Sequence, residues 1–404
     1  MILKSVLLQI IESQKSILIK KDSGFTRETL KSQIIHVSHA LIVSGIRRCG
    51  KSTLLNQILK LKYADAFYLN FDDARLFDFD KNDWSRLDEI IADSGSRVLF
   101  FDEIQVVKEW ERYIRQKLDE QFRVFITGSN SSLLSGELGT KLTGRHISKE
   151  LFPFSYSEFI AFKKMKASPV SVSDYMQTGG FPEFVKTKDK EILNHFFQDI
   201  LIRDIAMRYS LKDLKTLQRV ALFLISNVGH LITATKLKNQ FSVGSTSTIM
   251  EYLSYFETAY LMFFVPKFSY SIKAQNINPR KVYAIDTGLV NVNSASFSDD
   301  YGALFENLIL LHLRRKYNEI YYFSEKNECD FIACKNGKAV ELIQACYDLN
   351  NDNMERETQG LMEAMLFFKI KKASIVTLKQ SDVIKINSKI INVVPADEFF
   401  MKNL

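Results

Sequence analysis

One nine-residue stretch, GIRRCGKST at residues 45–53, constrains the fold of this chain more than any other. The apolar run ALIVSG before it predicts a buried strand, and KSTLLNQILKLKY after it predicts a helix. Glycines in the turn between them let backbone N–H groups face inward around an anion, at the positive end of the following helix. The stretch therefore predicts a parallel α/β sheet with a phosphate-binding loop.

The same turn fits a nucleotide-binding motif residue by residue. It satisfies the pattern GxxxxGK[ST], in which the lysine reaches the terminal phosphates and the hydroxyl ligates Mg²⁺. We therefore expect ATP and Mg²⁺ as cofactors, bound by Gly45, Arg48, Cys49, Gly50, Lys51, Ser52 and Thr53, with Lys51 also serving catalysis. Phosphate chemistry does not require Arg47 and Arg48, which we expect to pair with acids or to contact a neighbour.

An acidic motif follows a later predicted strand. VLFFDEIQ, residues 98–105, delivers Asp102 and Glu103 at the carboxyl end of that strand, where ligands bind in open α/β sheets. Asp102 is expected to hold Mg²⁺, directly or through water, and Glu103 to polarise a water for attack on the γ-phosphate. The next strand ends in ITGSNSSLL, where Asn130 or Ser129 orients that water or senses the phosphate, unless the segment is only a helix cap.

Arg145 lies immediately before a fifth predicted strand, HISKELFPFS. An arginine at this place reaches a phosphate in a neighbouring subunit. The alternative is a surface arginine, or one paired with an acid. The oligomeric state, on which this choice depends, is left open by the sequence.

These motifs together resemble a known family. GIRRCGKSTLL, FFDEIQ, TGSNSSLL, GR and ELFPFSYSEF are similar to the AAA-type ATPases of bacteria and archaea that carry a C-terminal domain of uncharacterised function. The similarity continues through YMQTGGFPEFV, DIAMRYS, KVYAIDTGLVN, GALFENLI and ECDFIA, so it covers nearly the whole chain. The resemblance implies that a Gly-x-Pro element of a helical lid, here Gly180-Phe181-Pro182, contacts the nucleotide through Pro182. Without it, TGGFP is a turn between helices.

The predicted organisation has five regions. They are an N-terminal amphipathic helical arm (1–30), a P-loop ATPase core with a parallel sheet (31–155), a helical lid (156–212), a winged-helix-like segment (213–292) and an α/β domain resembling PD-(D/E)XK restriction endonucleases (299–404). The fold class is therefore α/β. Along the chain, the helical lid and the winged-helix-like segment lie between the parallel sheet of the ATPase core and the C-terminal α/β domain.

The winged-helix-like segment is a candidate DNA-binding region. Residues 210–290 carry nine Lys or Arg against four Asp or Glu, which accounts for +5 of the net charge of +7. STSTIMEYLSYFETAYLM is the expected recognition helix, and its polar start is where base contacts would lie. Phosphate contacts are expected from Lys236, Lys238, Lys267, Lys273, Arg280 and Lys281. The alternative is a module that packs on the ATPase or on a protein partner.

The nuclease-like region lacks a complete catalytic motif. Glu306 lies on an apolar helical face, and Asp330 matches the first metal-binding aspartate of the family. The next strand should supply an acid, one residue and a lysine. One alignment places Gln344 and Cys346 there, and the other places Glu341 and Ile343. Because no lysine remains in either alignment, we expect the fold without efficient cleavage.

Composition restricts the protein class further. The four cysteines at 49, 329, 334 and 346 have neither zinc nor disulfide spacing, which fits a reducing cytoplasm. No apolar run approaches the roughly 20 residues of a membrane span. We expect a Mg²⁺-dependent ATPase whose ATP and ADP states drive a conformational switch, with DNA as a candidate partner. The alternatives are an ATP-gated DNA-binding or nuclease-like protein and an ATP-dependent adaptor for a protein partner.

Overall fold

The computed structural model describes residues 1–28, 39–134, 142, 144–295 and 300–402. They form two compact units, residues 1–151 and 152–404. The predicted boundaries at 30/31 and at 299 lie outside the described residues. Residues of the predicted lid, winged-helix-like segment and C-terminal domain share the second unit.

The first unit is a parallel α/β sheet, as predicted. Its elements are α1 Lys4–Lys20, β1 Ala40–Ser44, α2 Lys51–Lys62, β2 Phe67–Asn70, α3 Trp84–Ser94, β3 Val98–Asp102, α4 Trp110–Asp119, β4 Arg123–Gly128 and β5 His146–Glu150. The strand order is β2-β3-β4-β1-β5, and every pairing is parallel. All five residues of β1 are buried because helices cover both faces of such a sheet. This order places the carboxyl end of β4 between those of β1 and β3.

The N-terminal helix α1 belongs to the core of this unit, where the sequence indicated an arm. Leu7, Ile10 and Ile11 are buried in the same hydrophobic cluster as the sheet residues. The Gln14 amide also bridges the backbone of β2, donating to Asn70 O at 3.0 Å and accepting from Asn70 N at 2.8 Å. Since β2 is an edge strand, this amide occupies a backbone N–H and C=O that could otherwise pair with a strand of another chain.

The second unit begins with helices and a small antiparallel sheet. Its first elements are α5 Tyr156–Lys163, α6 Pro169–Thr178, α7 Pro182–Thr187, α8 Lys190–Asp199, a π-helical stretch Ile200–Met207, α9 Leu214–Ile225, β6 Leu231–Ile232, α10 Ala234–Phe241, α11 Thr246–Thr258, β7 Met262–Pro266, α12 Ile272–Ile277, β8 Arg280–Ala284 and α13 Thr287–Asn293. The strand order is β6-β8-β7. The strands β7 and β8 pair in antiparallel fashion, and the helix α12 lies between them along the chain.

The remainder of the unit is a mixed six-stranded sheet. Its elements are α14 Tyr301–Arg314, β9 Glu319–Ser324, β10 Glu328–Lys335, β11 Lys338–Ala345, α15 Met354–Phe367, β12 Lys372–Thr377, β13 Asp382–Ile386, β14 Lys389–Pro395 and α16 Ala396–Met401. The first six of these elements run in the order helix, three strands, helix and strand. The strands β13 and β14 and the helix α16 were not predicted. Among the described residues, no helix is long and apolar enough to cross a membrane.

Candidate nucleotide site and a second polar centre

The turn between β1 and α2 has the backbone of a phosphate-binding loop. Gly45 has φ +156°, and a Cβ there would lie 2.1 Å from the carbonyl oxygen of Leu151. Gly50 has φ +105° and is the N-cap of α2, while Arg48 also has a positive φ of 64°. Glycine at 45 is thus required by close packing, and glycine at 50 by a conformation that other residues rarely adopt.

Lys51 is buried and held by atoms of its own loop. Its Nζ donates to Gly45 O at 3.0 Å and to Ile46 O at 3.1 Å, and it lies 3.4 Å from Glu103 Oε1. The carbonyl oxygens are weak, neutral partners for an ammonium group, so phosphate oxygens would be stronger acceptors in their place. The side chain is therefore positioned to exchange these contacts for an anion.

Asp102 is fully buried at the carboxyl end of β3. Tyr68 Oη donates to its Oδ2 at 3.0 Å, and the Thr127 hydroxyl donates to its Oδ1. Burial raises the pKa of Asp102, the neighbouring Glu103 adds to this, and hydrogen bonds from Thr127, Ser52 and Tyr68 oppose it. A carboxylate hydrogen-bonded to the Ser52 hydroxyl offers two oxygen donors of the kind that Mg²⁺ prefers. The residues present therefore fit the cation that the loop implies.

Glu103 is held beside Asp102 in a different environment. Its backbone has φ 52°, and its N–H donates to Thr127 Oγ1 at 3.0 Å. Burial acts to raise the pKa of Glu103, but Lys51 and a hydrogen bond from Gln105 outweigh it and lower the pKa. Gln105 Nε2 lies 2.5 Å from Glu103 Oε2 and 3.3 Å from Ser129 Oγ. Adjacent carboxylates whose pKa values shift in opposite directions are typical of catalytic sites in which the two acids have different roles.

The strand β4 delivers the polar residues predicted beside these motifs. Ser129 and Asn130 are both buried, directly after the end of β4. Ser129 contacts the Gln105 amide, and Asn130 O accepts from the backbone N–H of Leu133 in a short 3-10 turn. The structure places both residues at the predicted edge of the sheet. Which of the two senses a phosphate stays a prediction.

Three side chains from the predicted motifs have protein partners. Arg47 Nη1 lies 3.5 Å from Asp72 Oδ2, which agrees with the expected pairing with an acid. Arg145 Nη2 donates to Asp119 Oδ1 at 2.7 Å, the paired arrangement considered above. Cys49 is buried with its Sγ 3.2 Å from Leu151 O, and burial raises the pKa of its thiol. The role of Arg145 in a neighbouring subunit stays a prediction.

The N-terminal segment before residue 29 also reaches the loop, which the sequence did not indicate. Arg27 is buried, and its Nη1 donates to Cys49 O at 2.7 Å. The Gln57 amide donates to the carbonyl oxygens of Ser23 and Phe25 at 2.7 and 2.8 Å. A sequence signal was absent because Arg27 lies 22 residues before its partner.

The Gly-x-Pro element lies in the second unit, between α6 and α7. Gly180 N donates to Asp286 Oδ2 at 2.6 Å, and Phe154 N donates to Gly180 O at 2.7 Å. A Cβ at Gly180 would lie 2.4 Å from Phe154 O. These contacts explain the glycine by packing within the unit. A nucleotide contact by Pro182 stays a prediction.

A second polar centre joins β8, β10 and α14. Lys281 Nζ lies 2.9 Å from Glu306 Oε1, 2.7 Å from Glu328 Oε1 and 2.9 Å from Asp330 Oδ1. The expectation that Lys281 meets DNA phosphates is therefore wrong, because its side chain is only 5% exposed and surrounded by acids. An ammonium group thus accompanies these acids, although neither alignment of the predicted motif supplies a lysine. The group comes from β8, a strand outside the predicted nuclease motif.

The two alignments of β11 are distinguished by their contacts. Gln344 Oε1 accepts from Asp330 N at 3.2 Å, and Gln344 Nε2 donates to Glu357 Oε2 at 2.7 Å. Glu341 instead accepts from Lys316 Nζ at 2.8 Å and from Tyr317 Oη at 2.6 Å. Of the two acid positions that the alignments offer, Gln344 rather than Glu341 thus borders the centre. No group of three or more His, Cys, Asp or Glu in the described ranges has a metal-binding arrangement.

Comparisons with known proteins agree with the first site. A family model described as an AAA domain matches residues 37–160, and a model for a domain of unknown function, DUF8612, matches residues 170–300. The uncharacterised protein MJ1544 of Methanocaldococcus jannaschii is 35% identical over 367 residues, which cover 84% of this chain and 82% of that protein. An uncharacterised protein of Haemophilus influenzae is 30% identical, covering 82% of this chain and 89% of that protein.

Solved structures give a weaker similarity. AMPPCP-bound DnaA from Aquifex aeolicus aligns with 57% of this chain and 86% of that chain, at 12% identity and a TM-score of 0.30. A similarity of that size carries no information on function. The matched AAA domain contains the loop at 45–53 and the acids at 102 and 103, and the relative MJ1544 extends the match across most of the chain. The chain therefore belongs to the family of P-loop AAA-domain proteins that includes MJ1544.

Proposed function

We propose that this protein is a Mg²⁺-dependent ATPase whose nucleotide state drives a conformational switch. The observation that carries the proposal is the convergence of Lys51, Asp102 and Glu103 at the carboxyl ends of β1 and β3, with Ser52 hydrogen-bonded to Asp102. A buried lysine, a hydroxyl and two acids at one sheet edge are the groups that phosphoryl transfer to water needs.

Each side chain has a distinct part in the proposed reaction. Lys51 would bind the terminal phosphates, exchanging the carbonyl oxygens of Gly45 and Ile46 for phosphate oxygens. Ser52 and Asp102 would hold Mg²⁺, which neutralises phosphate charge when bound. Glu103 stays ionised, because its pKa is lowered, and would accept a proton from the attacking water. The conformational switch would be driven by contacts to the γ-phosphate, which ATP has and ADP lacks.

The test compares steady-state ATP hydrolysis in single variants. We expect Lys51→Ala to weaken nucleotide binding and Glu103→Gln to retain binding, each with turnover lower by about a hundredfold or more. Matched controls are Lys62→Ala, an exposed lysine of the same helix α2, and Glu12→Gln, an exposed acid of α1. Chelation of Mg²⁺ should abolish turnover. Wild-type rates in both Lys51→Ala and Glu103→Gln would rule the proposal out.

DNA is the second candidate partner, supported by the helices and sheet of residues 213–292. The order α9, β6, α10, α11, β7, β8, with the short helix α12 between the last two strands, supports the proposed winged helix, and the start of α11 exposes Thr246 and Ser247. Lys236 and Lys273 are exposed, so they are the cations best placed to meet phosphates. Ser245 has a structural task as well, because its hydroxyl caps α11 by accepting from Thr248 N at 3.1 Å.

The DNA proposal is tested by salt dependence and by stimulation of the ATPase. Duplex binding should weaken as salt increases, and Lys236→Ala combined with Lys273→Ala should reduce the slope of log K against log salt by about 2. Lys371→Ala, an exposed lysine before β12, is the matched control. Turnover that is unaffected by duplex or single-stranded DNA, together with binding that ignores salt, would favour a protein partner instead.

A further inference from the structure

The polar centre of the second unit is built around one buried ammonium group. Lys281 on β8 is bound by Glu306 from α14 and by Glu328 and Asp330 from β10, at 2.7–2.9 Å. Its Nζ donates hydrogen bonds to Glu306 Oε1 and to Asp330 Oδ1, both at 2.9 Å, while Glu328 Oε1 forms an ion pair with it at 2.7 Å. Three carboxylates thus surround the ammonium group, which has three donors in all.

Two of the three carboxylates are also held by groups other than the lysine. Asp330 Oδ2 accepts from Ala345 N at 3.0 Å, and Glu306 Oε1 accepts from Tyr283 Oη at 2.5 Å. Tyr283 lies two residues after Lys281 on β8, so the same strand face supplies both donors. Preset acids of this kind would keep their positions when the ammonium group is removed.

The formal charge of the centre is unbalanced. One ammonium and three carboxylates sum to −2 when all are ionised, which is costly for Glu306 and Asp330, the two carboxylates with little solvent exposure. An uncompensated acidic centre attracts a cation, and Lys281 is the one that the chain provides.

We propose that Lys281 is a built-in cation that fills the carboxylate centre of Glu306, Glu328 and Asp330 and thereby excludes a divalent metal ion. Around the lysine, the three carboxylates have no metal-binding arrangement. With the ammonium group removed, they would offer the carboxylate oxygens that hard cations prefer. With the ammonium in place, the C-terminal domain has no metal-dependent hydrolytic activity, and β8 is tied to β10 and α14. This inference is independent of the ATPase proposal, since it involves no residue of the nucleotide site.

Terbium luminescence tests the proposal on the nucleotide-free full-length chain. Tyr283 bonds Glu306 directly, and the Tyr322 ring centroid lies 6.0 Å from Lys281 Nζ, so both can sensitise a bound Tb³⁺ ion. We expect wild-type emission to be unchanged by Asp330→Asn. Lys281→Met should raise emission at least tenfold, Mn²⁺ should quench it, and Lys281→Met combined with Asp330→Asn should abolish it. Lys371→Met, at an exposed lysine before β12, is the matched control.

Further measurements keep the proposal open to refutation if Lys281→Met does not fold. Lys281→Met combined with Glu306→Gln removes one acid with the cation, retains Glu328 and Asp330 as ligands and should also gain emission. In the wild type, Mn²⁺ should leave the unfolding of the second unit unchanged. A folded lysine variant without emission would overturn the proposal. So would a Mn²⁺-induced stabilisation, or metal-dependent DNA cleavage, that is present in the wild type and lost in Asp330→Asn.

Discussion

At the scale of single residues, the partners of a side chain determine its role, so two identical side chains can have different roles. Lys51 and Lys281 are both buried lysines. Lys51 contacts two neutral carbonyl oxygens and one carboxylate at 3.4 Å, whereas Lys281 contacts three carboxylates at 2.7–2.9 Å. Charged acceptors bind an ammonium more tightly than neutral ones. Lys51 is therefore suited to exchange partners during a reaction, and Lys281 is suited to remain in place.

Gln105 is expected to position the proposed base. Its Nε2 bonds Glu103 at 2.5 Å and Ser129 at 3.3 Å, so it ties the acid of β3 to the end of β4. We predict that Gln105→Leu lowers kcat about tenfold and leaves KM nearly unchanged, a smaller loss than removal of the base itself. Gln116→Leu, on the exposed face of α4, is the control. An unchanged kcat, or a loss confined to KM, would contradict a positioning role.

His312 is expected to make the second unit acid-sensitive. Its ring lies against Phe399 and Phe400, with centroid distances of 4.9 and 5.4 Å, and burial, aided by Arg315 and Lys316, lowers the pKa to about 3. The pKa of His312 is lower in the folded chain than in the unfolded one, so the unfolded chain takes up the proton first as pH falls. The contribution of neutral His312 to the free energy of unfolding is therefore complete above about pH 6.5 and is lost below it. We predict a decline of up to about 1.4 kcal/mol per pH unit between pH 6 and 4.

The measurement is unfolding followed by far-ultraviolet circular dichroism across that pH range. His312→Phe keeps an aromatic ring and removes the titration, so its profile should be flatter than that of the wild type. His195→Gln, at an exposed histidine of α8, should leave the wild-type slope. An unchanged slope in His312→Phe would assign the acid sensitivity to other groups.

At the scale of elements, the spacing between backbones decides which positions accept a side chain. Gly360 on α15 approaches β10 so closely that a Cβ would lie 1.9 Å from Glu328 O. Gly302 on α14 has its nearest atom, Asp300 Oδ1, at 3.4 Å. Alanine in a helix usually stabilises by about 0.5–1 kcal/mol relative to glycine, but only where there is room.

We predict opposite effects for these two substitutions. Gly360→Ala should lower the free energy of unfolding by about 1–3 kcal/mol, because the helix must move away from the strand. Gly302→Ala should be neutral or raise it slightly. Urea unfolding of both variants is the measurement. Equal effects would show that the packing of α15 on β10 is looser than the structure indicates.

At the scale of the whole molecule, the two compact units can be followed separately. Both tryptophans, Trp84 and Trp110, are buried in the first unit, which also contains the loop at 45–53. Tryptophan fluorescence therefore reports the unit that is proposed to bind ATP. Circular dichroism reports both, because each contains helices.

We predict that ATP with Mg²⁺ shifts the fluorescence-detected unfolding transition. At a ligand concentration of 100 Kd the stabilisation is about 2.7 kcal/mol, provided that the unfolded chain does not bind. The shift should vanish in Lys51→Ala and persist in Lys62→Ala. Equal shifts of all transitions would indicate that the units unfold as one, and the absence of any shift would contradict nucleotide binding in the first unit.

The sequence by itself determined the parallel sheet and the convergence of its motifs. Lys51, Asp102 and Asn130 each follow a short buried strand, and parallel strands end at one edge, so local spacing was sufficient. The terminal strands β13 and β14 were missed because alternating runs such as DVIKI and KIINVV are short and carry exposed charges. A half-exposed strand gives a weak pattern.

Only the tertiary structure decided the partners of side chains that are distant in sequence. Gln105 gave no chemical signal until β3 and β4 placed it between Glu103 and Ser129. Lys281 was counted with the cations expected to meet DNA, yet it pairs with Glu306 and Asp330, 25 and 49 residues further along the chain. Periodicity reports which face of an element is buried. It carries no information on which element lies opposite, because that depends on packing throughout the unit.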